Sequence, residues 1–183
     1  MIKGTRWEFN QATAVVSSSR TNPFARMDSL IPSGLPQDTD LELCYDMGHK
    51  RRGRAVIFNH INFEDPELER RDGTNRDRDS LKETLRKMRF QDEDITVYED
   101  CGVSEIKKVI KDLSNDDHTD ADCLLVAVFT HGGDKYLCAS DGTCYLQEIL
   151  WKPFLEADPT RVSSLAGKPK IFIIQACRGE KVG

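Results

Sequence analysis

From Arg54 onward, short unbroken apolar runs alternate with amphipathic stretches. Ala55-Val56-Ile57-Phe58 is continuous rather than alternating, the pattern of a strand covered on both faces. A polar loop and then a helix follow. Thr74 or Asn75 is its expected cap, Asp77 and Asp79 suit the positive end of its dipole, and Leu81, Leu85 and Met88 share one face. Glu83, four residues before Lys87, adds a favourable pair.

Ile95 to Tyr98 reads as the next strand. Ile106, Val109, Ile110 and Leu113 then fall at i, i+3, i+4 and i+7, a buried stripe on a helix that starts near Ser104. Leu124 to Phe129 is a central strand. After it come a small hairpin turning at Asp141-Gly142, a helix containing Leu146, Ile149 and Leu150 that stops before Pro153, and a last strand at Ile171 to Ile174.

Strands alternating with helices predict the α/β class: a three-layer sandwich with a mainly parallel central sheet, right-handed crossovers and helices on both faces. Residues 1 to 45 lack that periodicity. They mix Ser17-Ser18-Ser19 with Pro23, Pro32, Gly34 and Pro36 and are expected to form a flexible leader, with residues 46–183 as one domain. The last strand is expected to have an uncovered edge, and an apolar edge such as Ile171 to Ile174 is expected to need a partner chain.

Composition narrows the partners. The 183 residues carry a net charge of −5, so nothing in the charge points to nucleic acid or anionic lipid. The basic cluster Lys50-Arg51-Arg52 with Arg54 is expected to be a solvated approach to the first strand. No apolar run approaches the roughly 20 residues that span a bilayer, and the amino terminus lacks a secretory core. The cytosol is the expected compartment, and there the six cysteines stay thiols, most of them as small buried hydrophobes.

Two reactive constellations follow buried strands, where ligands bind on such sheets. One is Thr130-His131-Gly132-Gly133, the other Gln175-Ala176-Cys177-Arg178-Gly179. A thiolate at Cys177 paired with an imidazole at His131 can attack a carbonyl and protonate the departing amine. Glycines beside His131 let main-chain N–H groups approach an oxyanion. Each residue type also has a plain structural use, and His60 competes with His131 because it too follows an apolar strand. His49 and His118 sit in charged loops. The acidic run from Asp116 to Asp122 is expected to be solvated, Cys-x-x-Cys pairs and phosphate-binding loops are absent from the sequence, and no metal or cofactor is expected.

The string Gln175-Ala176-Cys177-Arg178-Gly179, with a histidine some 50 residues upstream, resembles the signature of the caspase family. Similarity continues through Arg71-Asp72-Gly73-Thr74-Asn75, Asp120-Ala121-Asp122-Cys123 and Gly167-Lys168-Pro169-Lys170, and the sequence resembles the large-subunit region of an insect effector member. The resemblance implies a cysteine endopeptidase of cell death that cuts proteins after aspartate. Cys177 would be the nucleophile, His131 the acid and base, Gly132 and Cys177 the oxyanion donors, and Arg71 and Gln175 the binders of the substrate's aspartate.

It further implies a caspase-like sandwich without the small subunit's strands, a small-subunit partner, a second such heterodimer, caspase-inhibitor proteins as further partners, and little activity of the 183 residues alone. Asp28, Asp38 and Asp40 are candidate sites for removal of the leader. The alternative function is that of a truncated homologue that binds full-length caspases and modulates them without catalysis.

Overall fold

A computed structural model describes residues 13–17, through their backbone alone, together with 45–133, 135–155 and 164–176. In chain order the elements are β1 (Thr13–Ser17), β2 (Arg51–Asn59), α1 (Thr74–Lys87), β3 (Ile95–Glu99), α2 (Val103–Asn115), β4 (Ala121–Thr130), β5 (Tyr136–Cys138), β6 (Cys144–Leu146), α3 (Lys152–Leu155) and β7 (Lys170–Ala176). Five strands form one sheet in the order β1-β7-β4-β2-β3, and β5 and β6 form a separate hairpin. β7, β4, β2 and β3 run parallel; β1 is antiparallel to β7.

The continuous apolar runs are covered on both faces, as their pattern predicts. Ala55, Ile57, Leu125, Ala127 and Phe129 pack with Leu85 of α1 on one side. Val56, Phe58, Leu124, Val126 and Val128 pack with Ile106, Ile110 and Leu113 of α2 and Phe154 of α3 on the other. Side chains alternate across a strand, so one unbroken run feeds both layers. The result is the expected three-layer α/β sandwich, each fully buried Leu, Ile or Phe contributing roughly 1.5–3 kcal/mol.

Several expectations need correction. The β7 edge is not bare, because Thr13–Ser17 pairs along it from Thr13↔Ile174 to Ser17↔Lys170. Ala14-Val15-Val16 is a short β-prone run, too short to stand out among polar neighbours yet long enough to complete a ladder that β7 offers. The helix forecast around Leu146 is instead strand β6, a 3-10 turn at Gln147–Leu150 and α3. Pro153 lies inside α3 as its second residue, in the first turn, where an N–H has no intrahelical acceptor to lose. Met88 falls just past α1 and is 44% exposed, so it does not extend the Leu81–Leu85 face.

The basic cluster is ion-paired rather than merely solvated. Arg51 meets Asp94, Arg52 meets Asp122 at 2.8 Å, and Arg54 meets Asp116. The acidic run is correspondingly less open than its composition suggests. Asp122 and His118 are both 2% exposed, and His118 Nε2 lies 2.8 Å from Leu113 O. A charged loop thus packs inward wherever it finds counter-charges and carbonyls.

Candidate active site

The carboxyl ends of β2, β4 and β7 line up across the sheet. Asn59 pairs with Phe129, and Phe129 with Gln175, so these three positions form one row. One residue further, Thr130 is in register with Ala176. His131 follows Thr130 directly. Cys177, the next residue after Ala176, lies outside the described residues, as do Arg178, Gly179, Cys44 and the leader aspartates.

His131 is held at this rim from two sides. Its Nε2 lies 2.7 Å from the carbonyl oxygen of Glu69, and the Phe63 ring packs at a centroid distance of 4.8 Å and 47°. A carbonyl accepts only, so Nε2 carries the hydrogen and Nδ1 is the basic nitrogen of the neutral ring. Glu69 contributes through its main chain, which no side-chain pattern in the sequence could reveal. Phe63 had no signal beyond being a lone aromatic in a polar loop.

That loop, from His60 to Gly73, is pinned by Asp100. Its carboxylate accepts hydrogen bonds from Ile61 N at 2.6 Å, Asn62 N at 3.0 Å and Asn62 Nδ2 at 2.7 Å. Burial pushes the Asp100 carboxyl up, but those hydrogen bonds, with His60, outweigh it and hold the group below its ordinary range. A further tie runs from Glu64 N to Ser140 O, 2.8 Å, binding the loop to the turn of the β5–β6 hairpin.

Gly132 sits where the chain turns from β4 toward that hairpin. A Cβ there would lie 2.5 Å from Tyr136 O, so the Gly132–Leu137 bridge requires a residue without one. Gly133 N donates to the same carbonyl at 2.9 Å. The turn beside His131 is therefore shaped by close backbone approach at both glycines.

On the α1 face of the sheet, Ile171, Ile173 and Gln175 follow one another along β7. There Gln175 meets Arg71: Arg71 Nη2 is 3.5 Å from Gln175 Oε1, and Gln175 Nε2 donates to Asp77 of α1 at 3.1 Å. Arg71 Nη1 donates to His60 O at 3.2 Å and to Thr74 Oγ1 at 3.0 Å. Gly73, with φ of 98°, makes the sharp turn between Arg71 and α1.

Thr74 and Asn75 were expected as caps, yet no side-chain cap bond forms. Thr74, 4% exposed, is the first helical residue, and its hydroxyl donates to Asn59 Oδ1 at 2.7 Å while accepting from Arg71. Asn75 Oδ1 accepts from Asn59 Nδ2 at 2.9 Å. Both residues are spent on tying α1 to β2 behind the guanidinium, which the capping pattern conceals.

His60, the competitor to His131, is 0% exposed and bonded through Nδ1 to Ser140 Oγ at 2.9 Å. Burial, chiefly, lowers its pKa to about 4, with Arg71 adding to the fall and Asp100 and Asp141 opposing it. It is neutral at physiological pH and walled off from solvent. Among the described residues, no group of three His, Cys, Asp or Glu side chains is arranged to hold a metal, and no helix is long and apolar enough to cross a membrane.

The rim therefore brings together a partly exposed imidazole of defined tautomer, a glycine turn and a braced guanidinium beside a primary amide. Such a set can move a proton, approach an oxyanion and bind a carboxylate. Known proteins resemble this chain in sequence and in fold. Residues 52–182 match the family model described as the caspase domain.

Caspase drICE of Drosophila melanogaster is 43% identical over 138 residues, 75% of this chain and 39% of that protein. Caspase-1 of Spodoptera frugiperda is 44% identical over 166 residues, 91% of this chain and 50% of its own length. The chain thus spans half or less of these curated relatives. The crystal structure of Caspase-1 from Spodoptera frugiperda superposes with a TM-score of 0.68 at 45% identity, covering 75% of this chain and 52% of that one.

Proposed function

The chain belongs to the caspase-domain family of cysteine peptidases, and from that premise we propose that it is the large-subunit part of an endopeptidase that cuts proteins after aspartate during cell death. It acts in the cytosol once paired with a small subunit, two such heterodimers assemble, and caspase-inhibitor proteins are its further partners. No cofactor takes part.

The Cys177 thiolate attacks the scissile carbonyl carbon. The N–H groups of Gly132 and Cys177 receive the oxyanion of the tetrahedral intermediate. His131, having taken the thiol proton, delivers it to the departing amine, and then draws a proton from the water that hydrolyses the thioester. Arg71 and Gln175 bind the carboxylate of the substrate's aspartate, the guanidinium supplying charge and the amide an additional donor.

The observation that carries this reading is the register pair Thr130↔Ala176. His131 and Cys177 are the next residues in the chain after these two, which supports a reading in which they act together. Support comes also from the Glu69 carbonyl on His131 Nε2, which leaves the other ring nitrogen for proton transfer.

An electrophile that mimics a peptide ending in aspartate tests the proposal. With a supplied small subunit it should label Cys177, and the chain alone should label weakly. Labelling confined to other cysteines, or none in a pair shown to be assembled, would overturn the peptidase and leave a homologue that binds without catalysis.

A further inference from the structure

Two thiols with no part in that chemistry face each other across the β5–β6 hairpin. Cys138 and Cys144 are register partners, and their Sγ atoms lie 2.6 Å apart. On one side of them Ala139 N donates to Thr143 O at 2.9 Å, and on the other Gln147 N donates to Lys135 O at 3.1 Å. Hydrogen-bonded and non-hydrogen-bonded pairs alternate along an antiparallel ladder, so Cys138 and Cys144 form a non-hydrogen-bonded pair. Its Cα separation of about 4.5 Å lies within the roughly 4.4–6.8 Å that a disulfide spans. The backbone is already where a bond between them needs it.

The two thiols differ in access. Cys144 is exposed, whereas Cys138 is buried, and burial, then its neighbour Cys144, pushes the Cys138 thiol up to about 12. A dissolved oxidant meets Cys144 first, with Cys138 in contact behind it. Cys101 and Cys123 are buried in the two opposite layers of the sandwich. Neither competes for Cys144.

The geometry points to Cys138 and Cys144 as a reversible redox modification site whose co-reactant is a hydroperoxide. Cys144 sulfur attacks the terminal peroxide oxygen, the O–O bond breaks, and the alcohol, or water from hydrogen peroxide, leaves with the Cys144 proton. The product is a sulfenic acid. Cys138 sulfur then attacks the sulfenic sulfur, the S–S bond forms, the S–O bond breaks, and hydroxide leaves as water with the Cys138 proton. The two thiols lose two electrons and the peroxide gains them; a dithiol reverses the bond by exchange.

Cys138 is also tied to the His131 turn. Its N–H donates to His131 O at 2.9 Å, and its carbonyl accepts from the Thr130 hydroxyl. The oxidised site therefore fastens β6 covalently to the strand on which that turn rests. This goes beyond the peptidase reading and is read on thiols, so either can fail without the other.

The full chain is treated with hydrogen peroxide, alkylated under denaturing non-reducing conditions and digested with trypsin. Both cysteines fall in the peptide that begins at Tyr136. That peptide should be unalkylated and two hydrogens lighter, should take two alkyl groups after dithiothreitol, and amide exchange across Tyr136–Leu146 should slow in the oxidised chain. In Cys144→Ser, an exposed position, Cys138 should remain alkylatable after peroxide. Two alkylated cysteines after peroxide, Cys144 joined to any cysteine other than Cys138, or a sulfinic acid at Cys144 beside a free Cys138 would each overturn the site.

Discussion

Arg71 Nη2 lies 3.5 Å from Gln175 Oε1, although 104 residues separate the two positions. The loop after β2 and the end of β7 converge there, and the guanidinium is braced from behind by His60 O and Thr74 Oγ1. Lysine keeps the charge but loses the planar fork. Arg71→Lys in the assembled pair should slow labelling of Cys177 by the aspartyl electrophile about 10- to 100-fold, as loss of a charge-assisted bond worth roughly 1.5–3 kcal/mol requires. Alkylation of Cys177 by an undirected reagent should stay unchanged, and an equal slowing of both would remove Arg71 from substrate binding.

Buried His60 makes stability depend on pH. Its folded pKa of about 4 lies below the ordinary 6.5, so the unfolded chain binds more protons between those values. Stability is therefore full above about pH 6.5 and declines as pH falls toward 4, by on the order of 3 kcal/mol from this residue. His118, also lowered chiefly by burial, acts in the same direction. Urea unfolding at pH 7 and pH 5 should show His60→Asn losing less stability on acidification than the parent; equal losses would contradict the assignment.

Gly132 has no room for a side chain, since its Cβ would meet the Tyr136 carbonyl at 2.5 Å. Gly132→Ala should push β5 away from the His131 turn and cost about 1–3 kcal/mol. Thermal unfolding checks the stability. Cys177 labelling in the assembled pair should fall with it.

The α2 stripe sorts its own residues. Ile110 is 0% exposed, while Val109 only flanks the same layer. Ile110→Ala should cost about 2–5 kcal/mol in urea unfolding, and Val109→Ala distinctly less. Similar losses would mean that α2 docks on a different face.

β1 covers the β7 edge. Deleting residues 1–17 should expose a ladder of unpaired N–H and C=O groups. Light scattering should then rise with protein concentration where the full chain stays dispersed. Unchanged scattering would show that the pairing does not protect the edge in solution.

Legibility in the sequence tracked the range of the interactions involved. The runs that became β2, β4 and β7 and the stripe on α2 were visible because burial on a sheet or helix face imposes its period on consecutive residues. His131, Gly132 and Gln175 stood out because they follow buried runs, whereas Arg71 stood out only through a resemblance of short motifs. Thr74 was read as a cap because capping is local, whereas its actual partners are Asn59 and Arg71. His118 looked solvated for the same reason: the carbonyl that receives it belongs to a packed helix end.

The order of apolar runs and breaks alone determined an α/β sandwich with parallel strands, because covering both faces of a sheet leaves a periodic trace in the chain. Tertiary structure decided which strand ends lie side by side, that the Glu69 carbonyl sets the His131 tautomer, that Thr13–Ser17 closes an edge, and that Cys138 faces Cys144. These relationships join main-chain atoms and distant residues. A backbone carbonyl has no letter in the sequence, and a strand pairing becomes specific only when the packed layers hold both partners in register.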